Sequence, residues 1–189
     1  EEQRRMTDDE LVVFLSDRDA AIMGLENLTA EMPDQLPDLK IISRMGVGLD
    51  NVDPATLRNR GIRMGWTGGT NRRSVAELMI AFSICALRHV GPLYAAMRNG
   101  ERPRHQMGRH LSGRVIGLHG CGNVGKDVVR LLQAWDCQIL AHDIRDFPEF
   151  YAKFRVTPVS FEDLIARSEV LSLHIPLDQT TRELYSAEI

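Results

Sequence analysis

The chain has 189 residues and a formal net charge of −3, with 43% hydrophobic and 26% charged residues. That length buries a real core as one large domain or two small ones, and the near-neutral charge gives no electrostatic reason to expect nucleic acid or an anionic membrane as partner. Cys85, Cys121 and Cys137 are odd in number and form neither a paired framework nor a metal spacing. With no recognisable signal peptide and no apolar run long enough to span a bilayer, the expectation is a soluble, cytoplasmic α/β protein.

Glu1 to Met6 is charged and expected to fray. Thr7-Asp8-Asp9-Glu10 is a capping box that starts a helix to about Asp17. Ala20 to Leu25 and Leu39 to Ser43 read as strands, with Pro33 and Pro37 punctuating a short helix or turn between them. A glycine-bearing loop follows from Arg44 through Gly46-Val47-Gly48 to Asp53. Asp53-Pro54 is an N-cap with proline at the first helical position, and Gly61 closes that helix after Arg60. Ile62 to Trp66 is the next strand. Strands alternating with helices imply a parallel sheet, so this front part reads as a small α/β unit.

Ser74-Val75-Ala76-Glu77 has the form of another capping box, launching one apolar helix from Leu78 to Met97 that Gly91-Pro92 should kink or break. Glu101 to Arg109 is charged and reads as a surface connection. Val115-Ile116-Gly117-Leu118-His119 is then an apolar strand that runs into Gly120-Cys121-Gly122-Asn123-Val124-Gly125, a G-x-G-x-x-G spacing. Val124, Val128, Leu131, Leu132 and Trp135 recur at helical intervals, so the glycines lie at a strand-to-helix turn. A second strand, Gln138 to Ala141, leads to Asp143, close to the roughly 20-residue offset of the dinucleotide fingerprint.

Each part has a physical task. Gly120 permits the tight turn, Gly122 lets backbone approach a pyrophosphate, and Gly125 lets the helix pack on the strand. The amides of Asn123 and Val124, in the first helical turn, face the phosphates. Asp143 accepts from a ribose diol and repels a 2′-phosphate, which favours NAD over NADP, while Arg145 leaves NADP open. The bland alternative is a tight βα turn without a ligand. Beyond Asp143, Phe147 to Phe154 is a short helical or irregular piece, Ser160 starts a helix to about Arg167, and Glu169 to His174 is a strand.

Three further features carry two readings each. Cys121 is either a redox-sensitive thiol near a helix start or a small side chain in a tight turn, and the second reading is preferred. Arg72 and Arg73 oppose the dipole of the helix they precede, at roughly 0.3–1 kcal/mol each when exposed. They are either a solvated pair or an anchor for a second anionic group on a substrate. His89, His105, His110, His119 and His142 show no metal spacing.

Taken together, Ser43-Arg44-Met45-Gly46-Val47-Gly48-Leu49-Asp50-Asn51-Val52-Asp53, Asn71 with Ser74-Val75-Ala76-Glu77, the glycine turn, and Leu171-Ser172-Leu173-His174-Ile175-Pro176-Leu177 resemble the D-isomer-specific 2-hydroxyacid dehydrogenases, with phosphoglycerate dehydrogenase-like members nearest. The resemblance runs from about Leu11 onward. It implies a Rossmann-like parallel-sheet NAD domain over 74–189 and part of a flavodoxin-like α/β substrate domain over 1–73, with a cleft between them. It also implies dimerisation through the cofactor domain and a small 2-keto or 2-hydroxy acid as partner.

By position, His174, Ile175 and Pro176 would line the cofactor pocket and Val75 would lie near the nicotinamide. The amides of Gly46, Val47 and Gly48 would hold the substrate carboxylate. The family's proton-transfer Arg, Glu and His lie downstream of the His-x-Pro strand, so the chain as written is expected to be a fragment truncated at both ends and inactive. Measurable turnover of a 2-keto acid with NADH would refute that. Gly65-Trp66-Thr67-Gly68-Gly69 departs from the family's Asn-Thr-Pro-Gly-like segment, with Trp66 expected to cap the strand core. Two rival readings are a non-catalytic NAD(H)-binding regulator of the corepressor type, and an interaction fragment whose exposed sheet edge has lost the cofactor.

Overall fold

A computed structural model describes residues 5–104 and 106–186. The start expected to fray (Glu1 to Arg4) and His105 lie outside these. The chain divides into two compact units, Glu1–Thr70 with Pro176–Ile189, and Asn71–Ile175. The division drawn from sequence at 73/74 falls inside the first helix of the second unit, and the segment from Pro176 groups with the first unit.

In the first unit, α1 (Asp8–Leu15) begins with the full capping box: Glu10 N–H donates to the Thr7 hydroxyl, and Thr7 N–H donates to Glu10 Oε2 at 2.9 Å. It buries Leu11 and Leu15. β1 (Ala20–Met23), β2 (Ile41–Arg44) and β3 (Arg63–Gly65) form a parallel sheet in that order. Met32–Gln35 is a single 3₁₀ turn at the prolines. In α2 (Pro54–Asn59), Asp53 accepts from the amides of Ala55 and Thr56, and Gly61 ends the turn at φ +73°. Leu11, Leu15, Leu36, Ile42, Val52 and Leu57 make its core.

The second unit opens on α3 (Arg72–Leu87). The capping box expected at Ser74 does not form: the N-cap is Asn71, without a side-chain bond, and Ser74 and Glu77 lie within the helix, exposed. Starting three residues earlier puts Arg73 on the helix, from which it reaches a buried carboxylate described below. The expected interruption is real but lies at His89, in the left-handed conformation at φ 54°, before α4 (Val90–Arg98). Gly91 and Pro92 fall in the first turn of α4, where a missing N–H costs nothing. No single described helix is long and apolar enough to cross a membrane; α3 and α4 reach that composition only as a pair bent by 63°.

The second sheet contains β4 (Val115–His119), β5 (Gln138–His142), β6 (Val156–Pro158) and β7 (Val170–Leu173), all parallel, in the order β6-β5-β4-β7. Around it lie α5 (Asn123–Leu132), α6 (Pro148–Phe154) and α7 (Phe161–Arg167). β4 is central, which explains its unbroken apolar run: Ile116 and Leu118 have no exposed surface. Each such side chain contributes about 1.5–3 kcal/mol of burial. β5 extends on one side of β4 and β7 on the other, so the order reverses beside β4. In open α/β sheets that reversal marks the ligand crevice, at the carboxyl ends of the strands.

Candidate functional site

The turn leaving β4 is built by exclusion. Gly120 has φ +95°, and a Cβ there would lie 2.8 Å from the His174 carbonyl oxygen. A Cβ on Gly125 would lie 2.3 Å from the Gly120 carbonyl oxygen, so α5 presses directly on the turn. Gly122 is different: a Cβ there would meet nothing nearer than Arg145 Nη2 at 3.9 Å. The backbone at Gly122 therefore faces open space. Gly122 is also the N-cap, offers no side-chain cap, and accepts the first helical bond from Lys126 N–H at 3.0 Å. The amides of Asn123, Val124 and Gly125 are then the helix donors without a helical acceptor, at the positive end of its dipole. An uncovered backbone above three aligned donors fits a diphosphate.

Asp143 stands at the lip of this turn. Its Oδ2 accepts from Cys121 N–H at 2.6 Å and its Oδ1 from Arg145 N–H at 2.9 Å. Each oxygen keeps a second lone pair, so the carboxylate is fixed in place without being used up. Asp143 and Arg145 line a depression of about 300 Å³ with Tyr151 and Pro158. The Arg145 guanidinium leans on the Phe147 ring, 5.6 Å from its centroid, and turns towards Gly122.

Cys121 has no exposed surface, and burial pushes its thiol up to about 11. Burial therefore outweighs the helix terminus, and the thiol is a packing group against Tyr151 rather than a nucleophile. Behind the turn, His119 ends β4 almost fully buried, its ring 5.2 Å from that of His142 and 5.4 Å from Phe161. Burial first, then the neighbouring His142, lowers its proton affinity.

β7 continues past Leu173 through a bond from His174 N–H to the His119 carbonyl at 2.7 Å. His174 Nε2 lies 3.1 Å from the Ser172 hydroxyl, and burial holds the imidazole neutral below its ordinary value. Val75 and His174 line one recess of about 430 Å³ with Met79 and Leu173. A methyl of Ile175 would touch a Cβ on Gly120. The structure thus brings Val75, His174 and Ile175 to the strand ends that carry the glycine turn; Pro176 begins the segment grouped with the first unit.

Arg72 and Arg73 separate. Arg73 Nε lies 3.1 Å from Oδ2 of Asp127, a carboxylate only 4% exposed, and its Nη2 donates to Oδ1 at 3.3 Å. Arg72 lines a depression of about 360 Å³ with Asn123, Lys126, Asp127 and Arg130. Asp127 had no mark in the sequence, because an acid among the lysine and arginine of α5 reads as solvated.

In the first unit, Gly46, Val47 and Gly48 form the loop after β2, Gly46 at φ +126°. Among the described residues none of their three amides donates to a protein acceptor. Trp66 is 43% exposed and does not cap the strand core; its indole N–H donates to the Val47 carbonyl at 3.2 Å.

Residues 80–189 match the model of the D-isomer specific 2-hydroxyacid dehydrogenase NAD binding domain. The chain belongs to the D-isomer specific 2-hydroxyacid dehydrogenases. Its α/β fold with parallel sheets is the Rossmann-like one of this family, and its cofactor is NAD(H). Among curated dehydrogenases and reductases, the hydroxypyruvate reductase of Thermotoga maritima is 31% identical over 182 residues, 95% of this chain and 58% of that protein. Human D-3-phosphoglycerate dehydrogenase is 28% identical over 185 residues, 97% of this chain and 35% of that protein. The chain thus spans about half or less of the length of these relatives. Among solved structures, a glyoxylate reductase from Paecilomyes thermophila superposes with a TM-score of 0.84 at 26% identity, over 94% of this chain and 58% of that one. Family members of this kind carry out NAD-dependent oxidoreduction.

Proposed function

We propose that the protein interconverts a D-2-hydroxy acid and a 2-keto acid. The observation that carries this is the uncapped turn at Gly122, with Asp143 held at its lip by the Cys121 amide. The amides of Asn123 and Val124 bind the pyrophosphate, and Gly120 and Gly125 keep the turn tight enough to present them. Asp143 accepts from the adenosine ribose, while Val75, His174 and Ile175 wall the nicotinamide end. When bound, NAD(H) gives or takes the hydride. His174 stays neutral and hydrogen-bonded to Ser172, so it excludes water and orients the ring without moving a proton. In the first unit the amides of Gly46, Val47 and Gly48 take the substrate carboxylate. Names among the relatives suggest hydroxypyruvate, glyoxylate and a phosphorylated hydroxy acid as the substrates to try first. Arg72 lines its depression with Asn123, Lys126, Asp127 and Arg130, where three cations face one acid, and is assigned a second anionic group.

The test is binding first and turnover second. The chain should bind NADH at least about ten-fold more tightly than NADPH, because Asp143 repels the 2′-phosphate. Asp143→Ala should erase that difference. Equal affinities in the unsubstituted protein would remove the assigned role of Asp143. The intact enzyme should then oxidise NADH with a 2-keto acid, and Arg72→Ala should weaken kcat/KM for a phosphorylated keto acid more than for glyoxylate. An equal loss for both leaves Arg72 without a substrate role.

A further inference from the structure

Arg44 ends β2, and its side chain folds back beneath the loop it introduces. Its Nη1 donates to the carbonyls of Gly24 and Met45, and its Nε donates to the Gly48 carbonyl at 3.2 Å. From the end of β3, the Trp66 indole N–H takes the carbonyl between these two, that of Val47, at 3.2 Å. The ring is itself seated: a Cβ on Gly68 would come within 3.0 Å of it. Two side chains from two strands therefore hold the carbonyls of Met45, Val47 and Gly48.

A planar trans peptide points its C=O and the following N–H in opposite directions, and the described residues contain no cis bond. Fixing those three carbonyls turns the amides of Gly46, Gly48 and Leu49 away from the guanidinium and the indole. Of these, the amides of Gly46 and Gly48, like that of Val47 between them, meet no described protein acceptor. Successive backbone donors of this kind form an anion-binding concavity, here with a guanidinium behind it. Gly46 has to be glycine: at φ +126° a Cβ would also lie 3.2 Å from Arg44 Nη1. The opposing charge is Asp50, whose carboxylate would lie 2.6 Å from a Cβ on Gly48. Arg44 offsets it from beneath the loop.

We infer that Arg44 and Trp66 are positioning residues for the substrate carboxylate, setting the direction of the loop amides through their carbonyls. The inference rests on the reading of Gly46–Gly48 as the carboxylate loop. It makes Trp66, the residue that departs from the family's pattern, a determinant of how firmly the acid end of the substrate is held.

The experiment is a titration of the full ¹⁵N-labelled chain with oxalate, a two-carboxylate stand-in for a 2-keto acid, read at the amides of Gly46, Val47 and Gly48 and the Trp66 indole. These resonances should shift together and saturate. Trp66→Phe keeps the ring and removes the donor, and should weaken oxalate about two- to ten-fold, the range of one neutral hydrogen bond. Arg44→Lys keeps the charge but cannot span the same carbonyls, and should weaken oxalate by more than about ten-fold, as for charged hydrogen bonds. Thermal unfolding and the NADH-induced shifts at Gly122 and Asn123 should stay as in the unsubstituted chain, which a merely structural role would not leave alone. If Arg44→Lys does not fold, Trp66→Phe decides. Oxalate that moves none of the loop amides in the unsubstituted chain removes the carboxylate reading and the inference with it. Oxalate that binds the loop equally well in both variants keeps the carboxylate reading and overturns the inference.

Discussion

Asp127 is a carboxylate with 4% of its surface exposed, on a helix that also carries Lys126 and Arg130. Taking it out of water is unfavourable unless charge and donors meet it. Arg73 supplies both at 3.1 and 3.3 Å, and Arg130 stands 3.5 Å away on the same helix. Its Oδ2 sits at ion-pair distance from Arg73 without hydrogen-bond alignment, so the attraction there is electrostatic. Arg73→Ala leaves a buried acceptor with the weaker of its two partners and should destabilise the chain by roughly 1–3 kcal/mol, read by denaturant unfolding. Asp127→Leu together with Arg73→Ala should recover most of that loss, because the cost lies in the stranded charge rather than in the missing contact. Two single-variant losses that simply add in the double variant would show that no such coupling exists.

At the scale of elements, β4, the glycine turn and α5 form one piece, and it was the most legible part of the sequence. Period, glycine spacing and a downstream acid constrain each other there, so Gly120, Gly122, Gly125 and Asp143 stand out together. What stayed hidden depends on partners far along the chain. The start of α3 follows from Arg73 and Asp127 rather than from the Ser74 box. β6 is three residues ending in Pro158, with too few positions to show a period. Arg44 and Trp66 act on carbonyls, which leave no trace in side-chain pattern. His119 belongs to the same class: nothing in the strand says that it faces His142 and Phe161.

That burial has a consequence for pH. His119 holds its proton less tightly in the fold than at its ordinary value, through burial and His142, with Asp143 opposing. The folded chain then binds fewer protons than the unfolded one below about pH 6.5, so stability is full above that pH and falls on acidification. His119→Leu should flatten the decline in Tm between about pH 6.5 and 5, where the unsubstituted chain loses stability. His174 shares the direction, so part of the slope remains. An unchanged Tm–pH profile in His119→Leu would mean that the β4 histidine is not held neutral.

For the whole molecule, the decisive feature is that each unit has its own core. Ile42, Val52 and Leu57 belong to one cluster and Ile116, Leu118 and Val129 to the other, with no residue shared. A ligand stabilises only the states that retain its site, by an amount set by its concentration over Kd. All the groups assigned to pyrophosphate and ribose, from Gly120 to Asp143, lie in the second unit. NADH at about 100 times its Kd should therefore slow the exchange of the Leu118 and Val129 amides about a hundred-fold, where exchange requires opening of that unit. The Ile42 and Leu57 amides serve as the internal reference and should exchange as before. Equal slowing in both sets would mean that the two cores open as one, and that the cofactor's binding energy reaches the carboxylate loop as well. Slowing confined to the first set of residues, Ile42 and Leu57, would place the cofactor in the wrong unit altogether and remove the role assigned to the turn at Gly122.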